Sequence, residues 1–523
     1  GTMTIKAEVL ELDGGQINTR SGWFSPITSG GGKAGDIGIE VKEVRMSNGA
    51  KISSSTWTQG DGGEVKISGD ALVLSGGITA INTYSAYGIM GNHEEGKGGT
   101  GGKIEIGVKE VQIVAGAGIS ASSRGRGDAG VIKLDSESIW VDGEGRITSS
   151  SGSKDRGTRF GYDLITTGDA GSIEINSKSL VVGNSGLISV STLDEGQGGE
   201  LAINADSVRV YKKGKLISNT YRKGNGGNIL IESSKLEVTE SGEIESGSEG
   251  DGNAGSIHIG SGKLEGPTEV IITEEGRVTA STLGKGKAGG IVVKAGEIRM
   301  EAGKIFSDSK SKGDGGDAGV VELEGEVINI LANARVGSNT EGKGSAGAIR
   351  INGGEVNVID GAIQTNSNNH MEDGVAGSIE IEADRLVVMQ DKGSGFIDGL
   401  ISSDTRGHGD GGTMTIKAEV LELDGGQINT RSGWFSPITS GGGKAGSIGI
   451  EAEEVRMLNG AKISSLTWTQ GDGGVIRISG GTLVLSGERT SINTSSAYGT
   501  IGHHEEGKGG TGGKIEIGVK EVQ

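Results

Sequence analysis

Residues 229–256 read ILIESSKLEVTESGEIESGSEGDGNAGS and form one complete unit of the repeat that decides the fold. Two apolar residues, Ile229 and Ile231, are separated by a single residue, and a second apolar pair follows about five residues on. A turn containing Gly242 leads to a third segment, in which Ile244 is followed two residues later by serine. The unit closes on the pattern Gly-x-Ala-Gly, which elsewhere is Gly-x-Gly-Gly.

The same unit recurs along the whole chain. Its commonest period is 28 residues, as between Leu201, Ile229 and Ile257, and longer spacings are this period plus an insertion. The first apolar residue of each unit lies at Met3, Ile37, Val65, Ile104, Ile132, Ile173, Leu201, Ile229, Ile257, Ile291, Val321, Ile349, Ile379, Met414, Ile448, Ile476 and Ile515. Similarity at a fixed period is typical of solenoids, in which each repeat packs only against its neighbours.

Alternation with period two predicts strands that bury one face. Three such strands per unit describe one coil of a three-faced solenoid, with glycine at corners that need a positive φ. One coil cannot bury its own apolar face, so we expect coils to stack with parallel strands. We predict an all-β parallel β-helix of roughly 17 coils, continuous over residues 1–523. The predicted core stack is Ile39, Ile67, Ile106, Ile175, Ile203, Ile231, Ile259, Ile351, Ile381 and Ile450.

The third strand of the unit carries a row of hydroxyl residues predicted to point inward. Hydroxyls both donate and accept hydrogen bonds, so stacked copies could satisfy one another. Ala121, Val190 and Ala280 interrupt the row, which indicates a structural rather than a catalytic role. The row comprises Thr19, Ser54, Thr83, Ser149, Ser246, Ser307, Ser338, Thr365, Ser403, Thr430 and Ser465.

Composition excludes several classes of protein. Gly supplies 104 of the 523 residues but Pro only 3, so the chain is not collagen. The regularly placed aliphatic residues argue against disorder. A net charge of −19 disfavours binding to nucleic acid or to anionic membranes. The chain contains no cysteine and no apolar run long enough to span a membrane as a helix.

A second, much longer period lies over the first. Residues 1–112 recur as 412–523, an offset of 411 residues, and the stretch 1–35 returns unchanged as 412–446. We therefore predict a super-repeat over residues 1–411, about 60 Å long at the usual spacing of strands, with a second copy beginning at 412. The chain opens in mid-pattern, so we expect it to be part of a longer array that continues end to end.

The combined pattern resembles a known family. Gly-x-Ile-x-Ile, a glycine turn, Ile-x-Ser and a closing Gly-x-Gly-Gly are similar to the repeats of large filamentous-haemagglutinin-like exoproteins, which bacterial two-partner systems secrete. The resemblance covers the whole chain. It implies a right-handed β-helix, export to the cell surface or medium, and a role as a fibre or adhesin. The export route rests on the resemblance alone.

Aromatic residues in the longer loops are the best candidates for surface contacts. Exposed aromatic side chains often mark contacts with glycans or proteins, although they could equally hold a long loop against the coils. These candidates are Trp23, Phe24, Tyr84, Tyr87, Phe160, Tyr162, Trp434 and Tyr498.

Three other motifs have simpler explanations. The tripeptide Arg126-Gly127-Asp128 occupies a closing turn, so its integrin-type sequence is expected to be coincidental. His503-His504-Glu505-Glu506 could hold a metal but is typical of a solvated loop. Aspartates recur in the closing turns, yet one per coil is too sparse for the six or more ligands of calcium. These aspartates are Asp61, Asp128, Asp169, Asp251, Asp317, Asp410 and Asp472.

We therefore expect no cofactor, with calcium as the remaining possibility, and no enzymatic activity. The favoured function is a structural or adhesive extracellular rod or filament segment of a giant secreted repeat protein, with possible lateral self-association. An adhesin shaft that binds glycans or a cell surface through its aromatic loops is the alternative. A polysaccharide lyase or hydrolase is a remote third, which requires three or more carboxylates to meet in one groove.

Overall fold

The computed structural model describes residues 1–22, 32–57, 60–85, 99–123, 127–152, 168–260, 269–369, 374–391, 399–433, 443–468, 470–496 and 510–523. These residues fall into two compact units, 1–265 and 266–523. Every regular element in the described ranges is a β-strand. No described segment forms a helix long and apolar enough to cross a membrane.

Unit 1 alternates long and short strands. The long strands are β1 (Met3–Asp13), β3 (Ile37–Ser47), β5 (Glu64–Ser75), β7 (Lys103–Val114), β9 (Val131–Val141), β11 (Ser172–Val182), β13 (Glu200–Val210) and β15 (Ile229–Val238), followed by β17 (Ile257–Ile259). The short strands are β2 (Gln16–Asn18), β4 (Lys51–Ser53), β6 (Ala80–Asn82), β8 (Gly118–Ser120), β10 (Arg146–Thr148), β12 (Leu187–Ser189), β14 (Lys215–Ile217) and β16 (Glu243–Glu245).

Unit 2 repeats this alternation. Its long-strand positions hold β18 (Glu269–Thr273), β20 (Ile291–Lys294), β21 (Glu297–Glu301), β23 (Val320–Leu331), β25 (Ala348–Ile359), β27 (Ser378–Met389), β29 (Thr413–Asp424), β31 (Ser447–Leu458), β33 (Val475–Leu485) and β35 (Lys514–Val522). Its short strands are β19 (Arg277–Thr279), β22 (Lys304–Phe306), β24 (Arg335–Gly337), β26 (Ala362–Gln364), β28 (Leu400–Ser402), β30 (Gln427–Ser432), β32 (Lys462–Thr467) and β34 (Ser491–Ser496).

Within each unit, long strands pair in parallel with long strands and short strands with short strands, one coil apart. Ile175, for example, lies between Leu134 of the preceding coil and Ile203 of the following one. The predicted parallel β-solenoid is confirmed. The coil count differs slightly from the prediction, because eight coils in the described part of each unit carry both a long and a short strand.

The first two predicted segments of a coil run together as one bent strand. In β11 the buried residues Ile173 and Ile175 are followed by Leu180 and Val182, so the inward positions change from odd to even numbers. Lys178 lies where the inward positions change, and the strand pairing with the next coil omits this residue. In this coil neither glycine nor proline separates the two segments, so the backbone turns the corner without ending the strand.

All ten residues of the predicted core stack lie in the interior. Ile39, Ile67, Ile106, Ile175, Ile203, Ile231, Ile259, Ile351, Ile381 and Ile450 are each at most 2% exposed. Neighbouring members contact through the strand register, as Ile39 does with Ile67 and Ile351 with Ile381. Each unit therefore has a continuous apolar interior, in which burying one isoleucine contributes about 2 kcal/mol.

Candidate functional site: the ladders that join successive coils

Glycine at the closing turns is required for a reason that differs from the one we predicted. The closing glycines Gly130, Gly171 and Gly199 lack a positive φ, so left-handed geometry does not explain them. Instead, a Cβ at each would overlap the carbonyl oxygen of the closing glycine one coil earlier. Close approach of stacked backbones therefore fixes this position as glycine.

Positive φ occurs instead at the turn before each short strand. Asn184 and Ser185 take φ values of 43° and 65°, and the Gly186 N–H donates to the Gly183 oxygen at 2.7 Å. Two consecutive left-handed residues closed by such a bond are typical of a type I′ turn. Gly186 itself is needed because a Cβ there would overlap the carbonyl oxygen of Val141.

The inward hydroxyl row is buried as the sequence indicated, but most of its members do not satisfy one another. The Ser149 hydroxyl donates to the Gly130 carbonyl at 2.6 Å, and Ser465 donates to Gly446 at 2.7 Å. The expectation that stacked copies pair is wrong for Ser465, which donates to a glycine carbonyl although Thr430 is aligned with it in the preceding coil. Ser149 has no hydroxyl beside it in the row, because Ala121 and Val190 occupy the neighbouring coils. Thr365 and Ser403 are an exception, with their hydroxyls 3.0 Å apart. Ser403 also donates to a closing-glycine carbonyl, as do Ser54, Ser246, Ser307 and Ser338, and Thr19 does so from a half-buried position.

The closing-turn aspartates other than Asp251 belong to a second ladder, on the outside of the turn. Asp128 accepts the backbone N–H of Asp169 at 2.8 Å, and Asp169 accepts that of Gln197 at 2.7 Å. Gln197 and Asn225 continue the ladder by accepting the N–H groups of Asn225 and Asn253, each at 2.9 Å. One acceptor oxygen per coil thus caps the next coil, whether it comes from Asp, Gln or Asn.

Unit 2 builds the same ladder. Asp317 accepts the N–H of Ser345 at 3.0 Å, and Asp472 accepts that of Thr511 at 2.9 Å. The backbone bond from Ser345 is the largest cause that lowers the pKa of Asp317. The N–H and then the hydroxyl of Thr511 lower the pKa of Asp472 in the same way. Both carboxylates are therefore held ionised by hydrogen bonds from the neighbouring coil.

These bonds bear on two predicted motifs. Asp128 of the tripeptide accepts a hydrogen bond from the next coil, whereas Arg126 lies outside the described residues. Within the described ranges, no three acidic or histidine side chains come together as metal ligands would. His503, His504, Glu505 and Glu506 lie outside those ranges. That calcium does not bind at the closing turns remains a prediction.

A third ladder follows the outward side of the short strands in unit 2. Asp308 accepts the N–H of Asn339 at 2.8 Å, Asn339 accepts that of Asn366 at 2.8 Å, and Asn366 accepts that of Asp404 at 2.9 Å. Burial is the main cause that raises the pKa of Asp308 and raises the pKa of Asp404 to about 6. The nearby Arg431 guanidinium opposes the shift at Asp404 without cancelling it.

One groove of unit 2 has the carboxylates that the enzymatic alternative requires. Glu322, Glu324, Glu380 and Glu382 line it beside Arg350. Arg350 pairs with Glu322 at 2.9 Å and with Glu380 at 3.3 Å. The arrangement is that of a surface ion-pair ladder between coils.

Of the eight predicted aromatic contacts, only Tyr84 is described. It is half-buried, and its ring meets that of Trp57 edge-on at a centroid distance of 5.7 Å. The contact indicates that Tyr84 holds its segment against the neighbouring coil. The other seven, Trp23, Phe24, Tyr87, Phe160, Tyr162, Trp434 and Tyr498, lie outside the described residues.

Two aromatic residues outside the long loops were missed by the sequence reasoning. Trp140 is 47% exposed on the outer face of β9, and Tyr211 lies at the turn that follows β13. The signal was available for Trp140, because it stands between the inward residues Ile139 and Val141 and must therefore point outward.

No protein-family model, curated protein or solved structure matches this chain.

Proposed function

We propose that this chain is a structural segment of an extracellular rod or filament, with adhesion as the role of the larger protein. The observation that supports a structural role is the repetition of three kinds of contact along the chain: the inward aliphatic side chain, the bond from serine to glycine in the coils that carry that serine, and the closing-turn cap. Repeated contacts of this kind suit an element under tension, because each coil is held to its neighbours by similar contacts.

The resemblance to filamentous-haemagglutinin-like exoproteins supports the rest of the proposal. It favours secretion through an outer-membrane channel and a parent protein made of many such coils. The 411-residue super-repeat supports the same reading, since a period that long is expected of an extended array. On this proposal the array continues end to end beyond one super-repeat.

Electron microscopy of native material, labelled with an antibody against this chain, tests the structural function. We expect label on long thin fibres with an axial repeat near 60 Å, which is about thirteen coils at the usual strand spacing. Preabsorbing the antibody with the purified chain is the control and should abolish the label. Label on compact particles, or on cells without fibres, would overturn the proposal.

A further inference from the structure

The outer face of β9 in unit 1 carries an aromatic side chain where the other coils place smaller or charged residues. Strand register aligns Trp140 with Gln112 of the preceding coil and with Val181 of the following one, and Arg209 comes next. The indole is 47% exposed, so about half of a large apolar ring lies in water. An exposed indole presents a flat apolar face and a polar N–H, which suit it to contact another molecule.

A row of hydroxyls runs beside this ring. Ser138, Ser179 and Ser207 occupy the position two residues before Trp140 in three successive coils, and register aligns them directly. All three are half-buried, and their side chains make no hydrogen bond to any other described residue. Successive hydroxyls are about 4.8 Å apart along the stack. They are therefore available to a ligand that lies along the same direction.

A second ring borders the same surface. Tyr211 lies over Gly183, where any Cβ would overlap the phenol ring. Its hydroxyl donates to an Asp142 carboxylate oxygen at 3.0 Å, two coils away, and the Arg209 guanidinium carbon lies 4.8 Å from its ring centroid. This bond fixes Tyr211 against Asp142, two residues after Trp140. The Asn184 amide also donates to both Asp142 oxygens, at 2.8 and 2.9 Å, which leaves one acceptor position of the carboxylate for a ligand at the edge of the patch.

We propose that Trp140, the serine row, Tyr211 and Asp142 form a binding site for an extended, uncharged β-1,4-linked hexose chain. Equatorial hydroxyls leave the ring faces of such sugars covered by C–H bonds, which suit the electron-rich face of an indole. The hydroxyls then point sideways, towards Ser138, Ser179 and Asp142. One sugar unit advances by about the same distance as one coil of 4.8 Å, so consecutive sugars lie over consecutive coils.

A protein partner fits this surface less well. A protein interface has a fully buried apolar centre within some 800 Å² per partner. Here Trp140 and Val181 are adjacent in the aligned row, Gln112 separates them from Val73, and Arg209 and the serines lie beside them. A narrow ring platform flanked by unpaired hydroxyls favours a sugar. The site does not depend on the proposed structural function, and neither proposal requires the other.

Titration of the intact chain with cellohexaose, followed by calorimetry and tryptophan fluorescence, tests the site. We expect saturable binding and a change in fluorescence, with affinity falling at least roughly tenfold in Trp140→Ala and partly restored in Trp140→Phe. Tyr211→Phe should weaken binding by a smaller factor, since it removes only the bond to Asp142. Leu230→Ala, which truncates a 40% exposed side chain on another strand of the same sheet, is the matched control.

Two results would overturn the inference: no binding of cellohexaose by the unaltered chain at millimolar concentration, or equal binding by Trp140→Ala. Trp140 is exposed, so its replacement should leave hydrogen-exchange protection of β9 unchanged, and this measurement separates lost binding from lost folding. Failure here would leave the labelled-fibre experiment and the structural proposal untouched.

Discussion

Replacing Gly130 by alanine should separate two stacked coils, because the closing glycine is fixed by close approach. The added Cβ would overlap the carbonyl oxygen of Gly102, which also accepts the Val131 N–H at 3.1 Å. Relief of the overlap requires the backbone to move away from Gly102. That movement lengthens this bond and disturbs the bond from the Ser149 hydroxyl to Gly130.

The size of the effect follows from these contacts. Overpacking costs about 1–3 kcal/mol, and two weakened hydrogen bonds cost about 1 kcal/mol each. Reduced freedom of the unfolded chain offsets about 0.5–1 kcal/mol. The net local destabilisation is therefore about 2–4 kcal/mol, which corresponds to roughly thirty- to thousand-fold faster amide exchange where exchange follows local opening.

Hydrogen exchange of the full chain, resolved by peptide, measures this effect. Exchange should accelerate in β7 and β9 and decline with distance, because each coil contacts only its neighbours. Gly107→Ala is the matched control: no atom lies within 4 Å of its added Cβ, so a gain of about 0.5 kcal/mol is expected. Equal protection in Gly130→Ala and the unaltered chain would refute the reasoning.

Four further changes test the other contacts. Since burial raises the pKa of Asp404 to about 6, its contribution to stability is present below the ordinary aspartate pKa and is lost as pH rises through about 6. Asp404→Asn, which copies Asn366 one coil earlier, should therefore raise the free energy of unfolding of unit 2 at neutral pH by at most about 3 kcal/mol, measured as a higher urea midpoint. The pKa of Asp317 is lowered, so its contribution to stability is present at neutral pH and is lost as pH falls below the ordinary aspartate pKa. Asp317→Asn keeps the acceptor oxygen, and the urea midpoint of this variant should therefore fall less steeply as the pH is lowered. Ser149→Ala should lower the free energy of local opening in β9 and β10, measured by hydrogen exchange, by no more than about 1 kcal/mol, because the Gly130 carbonyl still accepts the Ser172 N–H. Ile106→Asp buries an unpaired carboxylate and should abolish protection in β5, β7 and β9, at a cost of several kcal/mol; unchanged protection there would contradict the continuous apolar stack.

The fold was predictable because inward positions repeat with period two inside a 28-residue unit. Only a buried strand face explains why Ile175, Ile203 and Ile231 recur at that spacing, and each is at most 1% exposed. The bend inside β11 could not be predicted from a glycine or proline, because neither separates the two segments. It is visible only where the buried residues change from odd to even numbers, which the sequence shows as the longer step from Ile175 to Leu180.

The chemistry at the coil junctions was less accessible to sequence reasoning. Glycine suits both a positive φ and a close backbone approach, and the sequence alone does not distinguish these two requirements at Gly130. A serine whose partner is a backbone carbonyl looks the same as one that pairs with the next serine. Trp140, in contrast, was predictable as an outward residue, because it stands between the inward residues Ile139 and Val141.

The two copies of the super-repeat show which contacts the stack depends on. In unit 1 the Lys42 ammonium pairs with the Glu8 carboxylate at 2.9 Å. The equivalent residues in unit 2 are Glu453 and Glu419, which carry the same charge and cannot pair. The strands that carry them remain aligned in full register, because exposed ion pairs contribute little while the backbone ladder and buried isoleucines persist. Outward positions are therefore free to change without loss of the fold, and this freedom is what allows one coil to carry an exposed tryptophan.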